Sequence, residues 1–281
     1  MMREIFLLIL GLVAIFIASI QDLRKREVEN WISFSLIVFA LAYRAFYSIY
    51  NSDLWFFLYG VVGLIVFVGL GYAFYYSRVF AGGDAKLLMA LGTILPISVS
   101  YIENIKLSIV FIFLLLLVGG VYGLIFSFVL FVRNIDKSTR EFSKQFRLNK
   151  KMFYAALIID ILIMVLVLYS DDYILLVFPL IILAFPLLFI YGKTIEESCM
   201  IREVSGKELT IGDWLYEKIR VKGKEIKPYW EGLSEKEVSL LKKVKKIKIK
   251  QGIPFVPSFF IAFIILIYLW FSNWSFFKFL F

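Results

Sequence analysis

The stretch Phe80-Ala81-Gly82-Gly83-Asp84-Ala85-Lys86 sets a bare carboxylate behind two glycines, just where an apolar run begins. These residues do nothing for a membrane helix, which glycine weakens and in which an acid must be neutralised or partnered. Three other aspartates stand out: Asp22 in Gln21-Asp22-Leu23-Arg24, Asp160 in Ile158-Ile159-Asp160-Ile161 and Asp213 in Ile211-Gly212-Asp213-Trp214. The 281 residues include no histidine and one cysteine, Cys199. Histidine triads, histidine relays, Cys-cluster or His metal sites and internal disulfides are thereby excluded. Hydrolytic chemistry must then come from carboxylates, hydroxyls, lysines or a cofactor. Two carboxylates held close cannot both ionise, so they share one proton. The ionised member can deprotonate a bound water while the protonated member polarises a peptide carbonyl. Gly83 would keep side chains away from such a site and open conformations closed to other residues. The competing reading of Asp84 is an N-cap at the start of a helix.

The elements that must position these acids follow from composition. The chain is 61% apolar and 19% aromatic, and several windows exceed the roughly 18 apolar residues of a spanning helix. Hydropathy marks spans at about 4–21, 31–50, 54–77, 85–100, 106–132, 152–169, 173–192 and 253–271, the fourth short and interrupted by Gly92 and Pro96. The run Ile5–Ile20 lacks a basic leader beyond Arg3 and a small-residue cleavage site, so it reads as a retained helix rather than a signal peptide. Ser170-Asp171-Asp172 reads as the tight turn joining spans six and seven.

Charge sets the orientation. With the N-terminus outside, the inner segments 21–30, 78–86, 133–151 and 193–252 carry 27 of the 31 Lys and Arg residues. The bias survives removal of the longest segment, so both termini are expected outside. Asp22 and Asp84 then reach the same, cytoplasmic, membrane boundary from distant parts of the chain. The fold class expected is an all-α polytopic membrane protein of about eight spans or fewer, with a small α+β cytosolic subdomain. Its parts are 1–192 as the transmembrane domain carrying both acids, 193–252 as a basic cytosolic subdomain, and 253–281 as the last helix and tail. Within 193–252, runs at 218–221 and 224–227 flank Lys222-Gly223 as a hairpin. Ser234 and Glu237 form a capping box that opens a helix bearing Val238, Leu241 and Val244. The run Leu241–Lys250 reads as an anchor for anionic lipids rather than a nucleic-acid patch. Asp160 reads as an acid bonding a neighbouring helix, with Arg44 of span two its candidate partner, and Asp213 as an ordinary acid of a polar region.

Three stretches carry a family likeness: QDLRKREVENW (21–31), FAGGDAKLLMALG (80–92), and GKELTIGDWL (206–215) with GIPFVPSFFIAF (252–263). They resemble the motifs of the GxGD membrane aspartyl peptidases that process type IV prepilins and archaeal preflagellins, the archaeal class III signal peptidases in particular. The resemblance implies that Asp22 and Asp84 are the catalytic pair. It also implies that Ala81, Gly82, Gly83 and Lys86 shape the site or bind substrate. Its implied partners are pilin-like or archaellin precursors with a short basic leader, cut at the cytoplasmic membrane face. The strict motif asks for glycine where this chain has Ala81. The four-cysteine zinc module of many bacterial relatives is absent, so cleavage without methylation, and without metal or cofactor, is expected. The alternative from another class is a transporter or channel using Asp160 and Arg44.

Overall fold

The computed structural model describes residues 2–170, 175, 177–221 and 223–272; the expected turn residues Asp171, Asp172 and Lys222 lie outside them. The helices are α1 Met2–Lys25, α2 Asn30–Asn51, α3 Leu54–Tyr76, α4 Gly82–Leu91, α5 Tyr101–Arg133, α6 Ile135–Ser170, α7 Val177–Cys199, α8 Glu235–Leu241 and α9 Val256–Phe271. Among the described residues α1, α2, α3, α5 and α7 are long and apolar enough to cross a bilayer, and α9 is a shorter apolar helix. The protein is a multi-pass membrane protein, with full-length spans at the lower end of the expected number. Apolar side chains such as Phe46, Ile49 and Tyr50 stay exposed on the helices, as lipid-facing residues must.

Contacts divide the chain into two compact units, Met1–Leu124 with Ile253–Phe281, and Ile125–Gly252. In the first, α1, α2, α3, α4, α5 and α9 bury one core that includes Leu7, Ile15, Leu36, Phe67, Leu88, Phe111 and Phe263.

The expected fourth span is broken. Helix α4 is ten residues long and ends at Leu91, before an irregular stretch that runs through Pro96. Proline cannot donate a helical hydrogen bond, and its ring disfavours helix before it. Close packing adds to the break. A Cβ on Gly63 of α3 would lie 2.2 Å from the Gly92 carbonyl oxygen, and one on Gly92 would lie 2.5 Å from that of Gly63. Broken backbone within an apolar core needs internal partners, and Arg44 supplies them. Fully buried on α2, its guanidinium donates from Nε to Thr93 O (2.8 Å), from Nη1 to Phe56 O (2.7 Å), and from Nη2 to Ile94 O (3.3 Å) and Pro96 O. It also stacks 4.6 Å over the Phe56 ring. Arg44 is an architectural cation here, which removes the reason to place it along a transport path.

In the second unit, the expected inner loop 133–151 is helical and continuous with span six. The segment builds its own surface pairs, Glu141 with Lys144 at 3.1 Å and Gln145 with Glu141 at 2.8 Å, which favour a helix at three- and four-residue spacing. Strands β1 Ile201–Val204, β2 Trp214–Leu215 and β5 Ile247–Lys250 form an antiparallel sheet in the order β1-β5-β2, with Ile201 opposite Lys250. Strands β3 Ile219–Val221 and β4 Lys224–Ile226 make the expected hairpin, whose turn uses Gly223 at φ 80°. The Ser234 N–H donates to Glu237 Oε2 at 2.8 Å, and α8 buries Val238 and Leu241. Val244 lies beyond the helix end, although it still packs against the same small core. Asp213 has a local job: its Oδ2 accepts the Thr210 N–H at 2.8 Å and closes a turn.

Candidate active site

The first carboxylate sits near the end of α1. Apolar residues at helical spacing, such as Leu8, Ile15 and Ala18, turn one face of α1 into the core. That face carries Asp22 inward, where it is 6% exposed. Helix α1 ends as Arg26 takes left-handed backbone (φ 61°) and its N–H bonds the Asp22 carbonyl oxygen at 2.9 Å, a usual way to finish a helix. A polar network then holds the turn: Lys25 and Trp31 each donate to Glu29 at 2.7 Å, and the Glu29 N–H donates to Gln21 Oε1 at 3.1 Å.

The second carboxylate starts α4. Asp84 is the third helical residue, and its Oδ2 accepts the Ala81 N–H at 3.3 Å. It caps the helix from inside rather than standing at the N-cap position, which Ala81 fills. Ala81 has φ −70° and ψ 164°, open to any L-residue, so alanine fits where the strict motif has glycine. Gly82 and Gly83 are helical, so their backbone does not need the conformational freedom that the sequence suggested. A Cβ on Gly83 would sit 3.4 Å from Val28 Cβ, an ordinary contact.

Two links bring the segments together. Lys86 Nζ donates to Asn30 Oδ1 at 2.8 Å, tying α4 to the start of α2. Phe80, buried in the loop before α4, packs its ring at a tilt against Phe255 (5.4 Å between centroids) and Phe259 (5.7 Å). Beside Phe255 lies a contact that sequence reasoning missed. The Val256 N–H, at the first residue of α9, donates to Asp22 Oδ2 at 2.9 Å in a buried bond. Pro254 and Pro257 around that helix start were the available signal.

Asp84 lies in the first turn of a helix too short to span and is 9% exposed. Burial first, and the charge of Asp22 second, push its carboxyl up to about 7, against the pull of the Ala81 N–H. The charge of Asp22 thus acts on Asp84, and two carboxylates coupled in this way favour sharing one proton. Such a pair can activate a water and polarise a carbonyl. The other two acids belong to the second unit, where Asp160 Oδ1 is buried without a hydrogen-bond partner.

Residues 9–195 match the model of the type IV leader peptidase family. This chain belongs to the type IV leader peptidase family. It is 38% identical over 88 residues to a preflagellin peptidase of Methanocaldococcus jannaschii, covering 31% of this chain and 37% of that one. It is 32% identical over 139 residues to a preflagellin peptidase of Methanococcus maripaludis, covering 47% and 60%. With the prepilin peptidase EppA of Methanothermobacter thermautotrophicus it shares 29% identity over 103 residues, covering 37% and 27%. These matches span between 27% and 60% of the relatives' own lengths. No solved structure matches the chain. Asp22 and Asp84 both fall inside the family match, whereas α9, which touches Asp22, lies outside it.

Proposed function

We propose that this protein is a membrane aspartyl endopeptidase that removes the short basic leader from type IV pilin-like or archaellin precursors. The observation that carries the reading is the joint burial of Asp22 and Asp84 within electrostatic reach of each other. One acid takes a proton from water as it attacks the scissile carbonyl, and the other protonates the carbonyl oxygen. Membership of the leader peptidase family and the names of the relatives support the substrate class. The Lys and Arg bias supports a site at the cytoplasmic face, with both termini outside. There a leader could stay in the cytoplasm while the helix behind it lies in the bilayer. Ala81, Gly82, Gly83 and Lys86 would line or shape the approach to Asp84.

Anionic lipids are the proposed partner of the exposed Lys242, Lys243 and Lys245. Lys246, Lys248 and Lys250 pair instead with Glu203, Glu217 and Glu196, which weakens the lipid anchor relative to its sequence. The transporter alternative gains nothing, since Arg44 is spent on main-chain carbonyls.

The test is co-expression with leader-bearing precursors, read as a mobility shift on cleavage. Cleavage of a precursor with a basic leader, lost in Asp22→Asn and in Asp84→Asn, supports the proposal. Full cleavage in either variant refutes it.

A further inference from the structure

The two aspartates do not have equivalent surroundings. Asp22 Oδ2 accepts the Val256 N–H at 2.9 Å, from the first residue of a 16-residue helix. The positive end of a helix dipole and a buried N–H donor both favour a carboxylate over a carboxylic acid. Helix α9 is fixed in that place. Ser19 of α1 donates to Val256 O at 3.4 Å, and the Phe255 ring packs at a tilt against Phe80. A Cβ on Gly119 of α5 would come within 2.4 Å of the Phe255 ring, so the helix start fits against bare backbone there. Besides Asp84, the titratable or charged side chains among the described residues that act on Asp22 are Arg26 and Tyr122, one cationic and one neutral, and the Phe255 main chain adds a second hydrogen bond. Asp84 also lies in a first helical turn, but of a helix only ten residues long, and among the described residues it accepts one N–H, at 3.3 Å, from Ala81 of its own turn.

We infer that α9 completes the site by holding Asp22 as the ionised base, so that Asp84 is the member that carries the proton. This rests on the peptidase reading and divides its roles. Water oxygen bonds to the scissile carbonyl carbon, its proton passes to Asp22, and the Asp84 proton passes to the carbonyl oxygen, giving a gem-diol. Asp22 then gives its proton to the departing nitrogen as the C–N bond breaks. One diol hydroxyl returns a proton to Asp84, and the pair is back in its starting state. Val256 acts through Asp22 and is a positioning residue.

Infrared spectroscopy of the full chain in lipid vesicles tests the inference without any substrate. It is done in an Asp160→Asn background to remove another membrane acid, at a pH of about 6, below the Asp84 midpoint. The protonated-carboxyl band should vanish in Asp84→Asn and persist in Asp22→Asn. The reverse pattern, or loss in both, overturns the assignment. Replacing Val256 by its α-hydroxy acid analogue removes the N–H and keeps the side chain. In the Asp84→Asn protein that exchange should bring up a new protonated-carboxyl band from Asp22, and no new band overturns the role of α9. Precursor cleavage is scored separately, so a correct band pattern with no precursor cut would refute the peptidase reading and leave the proton assignment standing.

Discussion

Burial first, and the charge of Asp22 second, raise the Asp84 carboxyl to about 7. A carboxyl raised in this way is protonated below its midpoint and ionised above it. Its infrared band should therefore fade as pH rises through about 7. Asp22→Asn and Asp84→Asn should each lower cleavage of a leader-bearing precursor by about 10³-fold or more, with membrane insertion intact by fractionation. Ala81 makes a contrasting case. Its backbone at φ −70° suits any residue, so Ala81→Gly should leave the cleavage rate within about twofold. A large gain would mean that the missing motif glycine matters for reasons other than backbone conformation. The aspartates themselves were legible in the sequence, since no histidine and one cysteine left little else for hydrolysis. The donor to Asp22 was not, because a main-chain N–H has no residue type and Val256 is 234 positions away.

Among the elements, the broken fourth span and the arginine that satisfies it belong together. Removing the Arg44 side chain takes a donor from the carbonyls of Thr93, Ile94 and Pro96 in the broken stretch. Each buried polar group left unpaired costs about 1–3 kcal/mol. Arg44→Leu should therefore lower the unfolding free energy in detergent by at least about 3 kcal/mol. Arg44→Lys keeps the charge with fewer and differently aimed donors, and should fall between. Gly63→Ala pushes a methyl into the Gly92 carbonyl oxygen, with an expected loss of about 1–3 kcal/mol in the same measurement. The sequence pointed to the break through Gly92 and Pro96. It suggested the wrong use for Arg44, because an arginine in an apolar span reads equally as half an ion pair or as a cap for loose carbonyls. The segment 133–151 read as a loop on polarity alone, and the pairs that make it helical emerge once it is wound.

On the scale of the whole molecule, the proposed function requires one orientation, with the aspartate pair at the cytoplasmic face. The exposed Lys243 offers a direct check in a protein with a single cysteine. In Lys243→Cys with Cys199→Ala, a membrane-impermeant maleimide should label inside-out vesicles and leave right-side-out vesicles unlabelled. The opposite pattern would invert the topology and move the aspartates to the other face. By itself, the sequence determined that the chain crosses the membrane repeatedly, how its charges are distributed along the chain, and which acids are available. Those are properties of composition and order, and hydropathy and charge read them directly. The tertiary structure decided how those acids differ. Their inequality comes from a helix outside the family match reaching back to Asp22 and from a short helix burying Asp84. Burial and a distant backbone donor arise from packing between segments, and no local stretch of sequence contains them.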